Sequence, residues 1–164
     1  MSLLIRRAAV RDRGAIGELL REAFGASAEA VLVDSLVADG DAVIELVAVA
    51  EGAVVGHVLF SRLSLDTGEG SFSAVALAPL AVAAAHRRRG IGALLVETAH
   101  AELRFTEALS VVLGDPAYYG RFGYSHALAA NYASDYQCEA LQALTFADAP
   151  PYGRLVYAPA FGAL

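Results

Sequence analysis

Six consecutive residues, Arg87-Arg88-Arg89-Gly90-Ile91-Gly92, stand between an apolar stretch that ends near Val82 and a helical stripe formed by Ile91, Leu94, Leu95, Thr98, Ala99 and Leu103. A strand must therefore pass into a helix through a basic, glycine-bearing turn. Glycine lets a backbone come close to a ligand. A helix N-terminus leaves N–H groups unpaired and carries a partial positive charge. The segment reads as an anion site, with several amides cradling a diphosphate and arginines adding charge. Three other readings compete. A Rossmann fingerprint needs G-x-G-x-x-G, but the residue three after Gly92 is Leu95. A Walker A loop needs G-K-[ST], and all twelve basic residues here are arginine. The third is a basic helix start that binds nothing, since arginine runs are usually solvated.

The surrounding pattern predicts the layout. Leu3–Arg7 reads as a short strand. Ile16, Leu19, Leu20, Ala23 and Phe24 share one helical face, with Asp12 in the first turn and Gly25 as the stop. Ala28, Val31, Leu32, Ser35 and Leu36 mark the face of a second helix ending near Gly40. Residues 43–50 and 54–65 read as strands joined by a turn at Glu51-Gly52, and residues 66–71 as a loop. Residues 72–82 form another strand, in which Pro79 marks a bulge or an unpaired edge. Residues 109–113 read as a buried strand and residues 117–122 as a short helical segment stopped by Gly123. Further strands are predicted near residues 136–140 and 154–158. The order β-α-α-β-β-β-α-β-α-β-β predicts an α/β (α+β) mixed sheet with helices on its faces.

Bulk properties narrow the function. The 164 residues, 57% hydrophobic and 18% charged, fit one domain over residues 1–164 and argue against disorder. The net charge of −6 argues against nucleic acid and mildly favours a cationic small substrate. One cysteine, Cys138, excludes an internal disulfide and a multi-cysteine zinc site. His86, His100 and His126 lack ligand spacing, so no metal is expected. The apolar stretch 72–85 falls short of the about 18 residues a membrane span requires, and no signal peptide is read at the start. The expectation is a cytoplasmic protein with no membrane partner, monomeric or homodimeric.

Two motifs resemble one family. Arg87-x-x-Gly90-x-Gly92 is similar to the [RQ]-x-x-G-x-[GA] loop of the GNAT (Gcn5-related N-acetyltransferase) superfamily, and it follows the apolar Leu80-Ala81-Val82. Downstream, Leu113-Gly114-Asp115-Pro116-Ala117-Tyr118-Tyr119-Gly120-Arg121-Phe122-Gly123-Tyr124 resembles that family's later segment, where an aromatic-tyrosine pair precedes Gly-Phe or Gly-Tyr. The end, Val156-Tyr157-Ala158-Pro159-Ala160-Phe161, looks like a bacterial subgroup of uncharacterised members. The resemblance implies a mostly antiparallel central sheet of about six to seven strands, with a splayed strand pair holding acyl-CoA. It implies acetyl-CoA as co-substrate and an amine as acceptor. Arg87, Arg88, Arg89, Gly90, Ile91 and Gly92 would hold the pyrophosphate. Leu80, Ala81 and Val82 would hold the pantetheine arm, with the N–H of Leu80 or a neighbour polarising the thioester carbonyl.

Direct attack of an amine on a thioester needs a proton acceptor and a donor for the leaving thiolate. The resemblance implies Tyr119 as general acid, with Tyr118 as the other member of the pair. Some members carry a glutamate on the strand before the loop, but residues 72–82 contain no acid. Asp115, Glu45 and His57 are candidate bases, and a water chain is another. Cys138 reads as a buried inert thiol and His100 as a solvated side chain. Tyr118, Tyr119, Tyr124, Tyr132 and Tyr136 either line an acceptor pocket or pack the last layer. The rival functions are a non-catalytic acyl-CoA-binding or sensing protein, favoured by the missing strand glutamate, and a structural protein with no CoA affinity.

Overall fold

A two-residue turn sets the first half of the sheet. In the computed structural model, which describes residues 2–163, Glu51 and Gly52 both take positive φ, 50° and 80°. That is the turn whose twist matches the strands of a tight hairpin. It joins β2 (Ala42–Ala50) to β3 (Ala53–Thr67) as an antiparallel pair. β1 (Leu3–Arg7) lies antiparallel outside β2. β4 (Gly70–Val82) returns along β3, and the two strands pair out to Thr67 and Gly70. The predicted loop 66–71 is therefore reduced to Gly68 and Glu69. Met1 and Leu164, the ends of the expected domain, lie outside the described residues.

Helices complete the layers. α1 (Arg13–Phe24) and α2 (Ala28–Ala38) separate β1 from β2, and α3 (Ile91–Leu103) carries the chain from β4 to β5 (Leu109–Leu113). β5 is parallel to β4. α4 (Pro116–Tyr119), α5 (His126–Ala129) and β6 (Tyr132–Ala133) precede β7 (Leu141–Thr145) and β8 (Gly153–Tyr157). The strands run β1-β2-β3-β4-β5-β7, and β8 takes the stretch of β3 from Leu63 to Asp66 beyond the reach of β2. The β4–β5 and β6–β8 pairs are parallel and the others antiparallel. Eight strands result, one more than the order read from sequence, because the two-residue β6 has no periodicity to find.

Each face of the sheet has its own core. Ile16, Leu20, Val33 and Leu36 pack on one side with Leu59, Val111 and Phe161. Ile91, Leu95, Ala99 and Leu103 pack on the other with Ile44, Phe60 and Val112. Gly56 lets α3 lie close: a Cβ there would meet Leu95 Cδ1 at 3.0 Å and Ile91 Cγ2 at 3.1 Å. This contact pins the first turn of α3 to the sheet.

Four expectations need correction. The strand predicted at residues 136–140 lies at Leu141–Thr145 instead, where Leu141, Gln142 and Ala143 are buried against β5. Residues 136–140 form a turn in which Gln137 Nε2 donates to the carbonyls of Ala129 and Tyr132. Cys138, in that turn, is exposed rather than buried. α2 buries Ala30, Leu32, Val33 and Leu36 while Val31 is 59% exposed, because apolar residues surround this helix and no single stripe is defined. His100 is half-buried rather than solvated. It packs against Phe60, Tyr124 and Phe146 at ring distances of 5.8, 5.5 and 5.3 Å, and burial lowers its pKa to about 4.

Candidate active site

The turn between β4 and α3 alternates its backbone hand. Arg87 is extended, Arg88 has φ 63°, and Gly90, the N-cap of α3, has φ 78°. The left-handed conformation costs an L-residue about 1–2 kcal/mol, so Arg88 is held there by its surroundings. A Cβ at Gly90 would meet nothing, so this glycine answers a backbone need. Gly92 answers a packing need, since a Cβ there would stand 2.5 Å from the Tyr118 hydroxyl. Arg87 Nε donates to the Val82 carbonyl at 3.1 Å and ties the turn to the end of β4.

Beside this turn the sheet splits. β4 pairs with β5 from Ala74↔Leu109 to Leu77↔Val112, after which β4 continues to Val82 without β5. Val58 faces Leu80 while Phe60 faces Leu77, so the extra residue is a bulge at Ala78 and the buried Pro79. The proline reading of a bulge is met. Beyond it, the Ala83 amide donates to Val55 and Ala81 pairs with His57. Strand alternation then turns the backbone groups of Leu80 and Val82 toward the split, consistent with Arg87 reaching the Val82 carbonyl from that side.

A cavity of about 290 Å³ opens there, lined by residues of β4 and β5 together with Tyr119, Glu29, Tyr136, Tyr157 and Phe161. Tyr119 reaches it from α4. Asp115 Oδ1 accepts from the Ala117 amide at 3.0 Å and Pro116 follows it, a well-capped helix start. The Tyr119 ring crosses Gly114, where a Cβ would meet its Cε2 at 2.6 Å. Burial, aided by Tyr118, pushes the Tyr119 hydroxyl up to about 12. Among the described residues nothing hydrogen-bonds that hydroxyl. Tyr118 points elsewhere, onto Gly92, with the Arg121 guanidinium 4.2 Å from its ring centre.

Residues 5–127 match the family described as Acetyltransferase (GNAT) domain. This chain belongs to the GNAT acetyltransferase family. The uncharacterized N-acetyltransferase YhbS of Escherichia coli is 42% identical over 124 residues, covering 74% of this chain and 73% of YhbS. The crystal structure of E. coli YhbS in complex with CoA superimposes with a TM-score of 0.88 at 35% identity, covering 98% of this chain and 92% of that one. A GNAT family acetyltransferase from Brucella melitensis in complex with acetyl-CoA gives a TM-score of 0.82 at 30% identity, covering 98% of both chains.

None of the three candidate bases of this GNAT chain lines the cavity. Asp115 is the α4 cap and is exposed. Glu45 lies beneath α1, bonded to Arg13 and, at 2.8 Å, to His57 Nε2. Burial would raise the Glu45 carboxyl, but the bonds from His57 and Arg13 outweigh it and hold the group below its ordinary value. His57 is fully buried, and among the described residues its Nδ1 has no partner. The tyrosines expected in one region divide. Tyr118, Tyr119 and Tyr124 pack together, while Tyr136 packs with Tyr157 and Phe161.

Glu29, in the first turn of α2, was not read from the sequence as a site residue. A glutamate there reads as a partner for the helix dipole. Its relation to β4 and β5 arises only when α2 docks. No helix among the described residues is long and apolar enough to cross a membrane.

Proposed function

We propose that this chain transfers an acetyl group from acetyl-CoA to a primary amine by direct attack within a ternary complex. The observation that carries the reading is the split between β4 and β5, with outward-turned backbone at Leu80 and Val82, a glycine-bearing helix start at one end and an unpaired tyrosine hydroxyl inside. CoA-bound YhbS and the acetyl-CoA-bound Brucella protein, which share the fold, support it.

In this reading the amides of the turn holding Arg87, Arg88, Arg89, Gly90, Ile91 and Gly92 receive the pyrophosphate. Two of its residues have positive φ, and α3 begins at Ile91, so donors converge where the helix dipole favours an anion. Leu80, Ala81 and Val82 run beside the pantetheine arm. The amide of Leu80 donates to the thioester oxygen as it gains charge. The amine nitrogen attacks the carbonyl carbon, a C–N bond forms and the C–S bond breaks. Tyr119 gives its proton to the leaving thiolate. A hydroxyl raised to about 12 is protonated at neutral pH, as a donor must be, and is a weaker acid than a free tyrosine.

Release of free thiol from acetyl-CoA in the presence of amines tests the proposal. Tyr119→Phe is expected to lower kcat about a hundredfold with acetyl-CoA affinity retained. Unchanged turnover would remove Tyr119 as the donor. The binding-only alternative draws on the acid-free β4, and predicts thermal stabilisation by CoA with no thiol release.

A further inference from the structure

We infer that the acceptor is a compact monoamine on a single ring or short apolar body, and that Glu29 receives its ammonium group. This rests on the acetyl-transfer reading and narrows its substrate.

Glu29 is the one charged residue among those lining the cavity, and among the described residues its carboxylate makes no ion pair or side-chain hydrogen bond. The opposing walls are largely apolar, with tyrosine hydroxyls as their polar side-chain groups. Leu32 stands one helical turn after Glu29 on α2, and Phe24 closes the end of α1. Tyr136, Tyr157 and Phe161 form an edge-to-face corner, with ring centres 5.0 Å apart for the first pair and 5.3 Å for the second. Aromatic faces attract a cation and stack a ring. A lone carboxylate in such walls matches one ammonium. A polyamine or an amino sugar would set further cations and hydroxyls against apolar surface, which is costly when they find no partner.

Size points the same way. The cavity measures about 290 Å³ and also borders the split where the acetyl group would arrive. That lies at the small end of ligand pockets, which span about 300–1,000 Å³. The net charge of −6 favours approach of a cation.

Glu29 also supplies a proton acceptor at the cavity wall. Its carboxylate takes one proton from the bound ammonium, directly or through water, which frees the nitrogen lone pair. After attack, Tyr119 protonates the thiolate and the second amine proton restores Tyr119. The sum is ammonium plus acetyl-CoA giving N-acetyl amine, CoA thiol and one proton released to solvent.

The test uses the full chain with phenethylamine and hexylamine against spermidine and kanamycin. Thiol release and the N-acetyl product, by mass spectrometry, are read together with acetyl-CoA affinity by calorimetry. The monoamines are expected to exceed the polycations in kcat/KM by about tenfold or more. Glu29→Gln is expected to raise KM for phenethylamine by about tenfold and to lower kcat, with acetyl-CoA affinity unchanged. Preference for spermidine or kanamycin, no acetylation of either monoamine, or an unmoved KM and kcat in Glu29→Gln would overturn the inference while acetyl-CoA binding still stands. Absence of acetyl-CoA binding by the wild-type chain would overturn the transfer reading itself and this inference with it.

Discussion

The hydroxyl of Tyr118 occupies the space beside Gly92, 2.5 Å from where a Cβ on that residue would be, and so couples the later tyrosine motif to the first turn of α3. Tyr119 is set the same way over Gly114. Gly92 and Gly114 each clear a path for one ring. The pair is thereby divided, Tyr118 toward the helix start and Tyr119 toward the cavity.

Adding one methyl group tests this arrangement. Gly92→Ala and Gly114→Ala should each cost about 1–3 kcal/mol, the usual range for overpacking, and Gly114→Ala should also lower kcat by displacing Tyr119. Gly120→Ala is the control. Its φ is −56° and a Cβ there meets nothing, so stability should be unchanged or slightly higher. Urea denaturation and thiol release on the three variants check both effects.

Alkaline pH should weaken the fold through its buried tyrosines. Burial raises Tyr119 and Tyr157 from 10.0 to about 12, and raises Tyr124 further. Between these values the unfolded chain loses protons that the folded chain keeps, so stability falls as pH rises from 10 toward 12. Below pH 10 this contribution is fully present. In Tyr119→Phe the decline of urea midpoints across this window should be shallower than in the wild type.

His100 should act at the opposite end. Its pKa falls from 6.5 to about 4 through burial, and its Nε2 is hydrogen-bonded to the Tyr124 hydroxyl at 2.9 Å. The unfolded chain binds a proton that the folded chain refuses, so stability is complete above pH 6.5 and is lost as pH falls through 4. Asp12, held near 2 chiefly by the Arg6 side chain, adds loss only below 3.8. His100→Gln should flatten the stability profile between the two His100 values, as thermal midpoints across that range would register.

Glu45 should matter for folding and not for turnover. It joins Arg13 to the fully buried His57, away from the cavity. Removing the Glu45 charge leaves the partly buried Arg13 and the buried His57 without their hydrogen-bond acceptor and costs about 1–3 kcal/mol. Glu45→Gln should lower the thermal midpoint while leaving kcat/KM for the amine unchanged at a temperature where the variant stays folded. A large fall in kcat in folded protein would restore Glu45 as a candidate base.

The legible parts of this molecule were those written in local chemistry. The glycine turn, the Pro79 bulge, the Glu51-Gly52 hairpin and the α3 stripe each depend on residues near in sequence. The tyrosine pair was legible as a pair. The resemblance assigns the donor role to Tyr119, and the physical reason that this ring faces the cavity, crowding at Gly92 and Gly114, is one that no periodicity records. Tyr136 is among the tyrosines the sequence offers for a pocket, whereas Glu29, Tyr157 and Phe161 are not, because the cavity draws its walls from both ends of the chain. His100 and Cys138 depart from the sequence expectation for a related reason. The first is covered by Phe146 from beyond β7, and the second sits in a turn with polar neighbours on an apolar-looking alternation.

Calorimetric titration of the wild-type chain with acetyl-CoA tests the central claim most directly, because every assigned role follows from the split between β4 and β5 receiving that molecule. Saturable binding at one molecule per chain, displaced by CoA, is the result predicted. No heat of binding and no thermal stabilisation at saturating acetyl-CoA would contradict it.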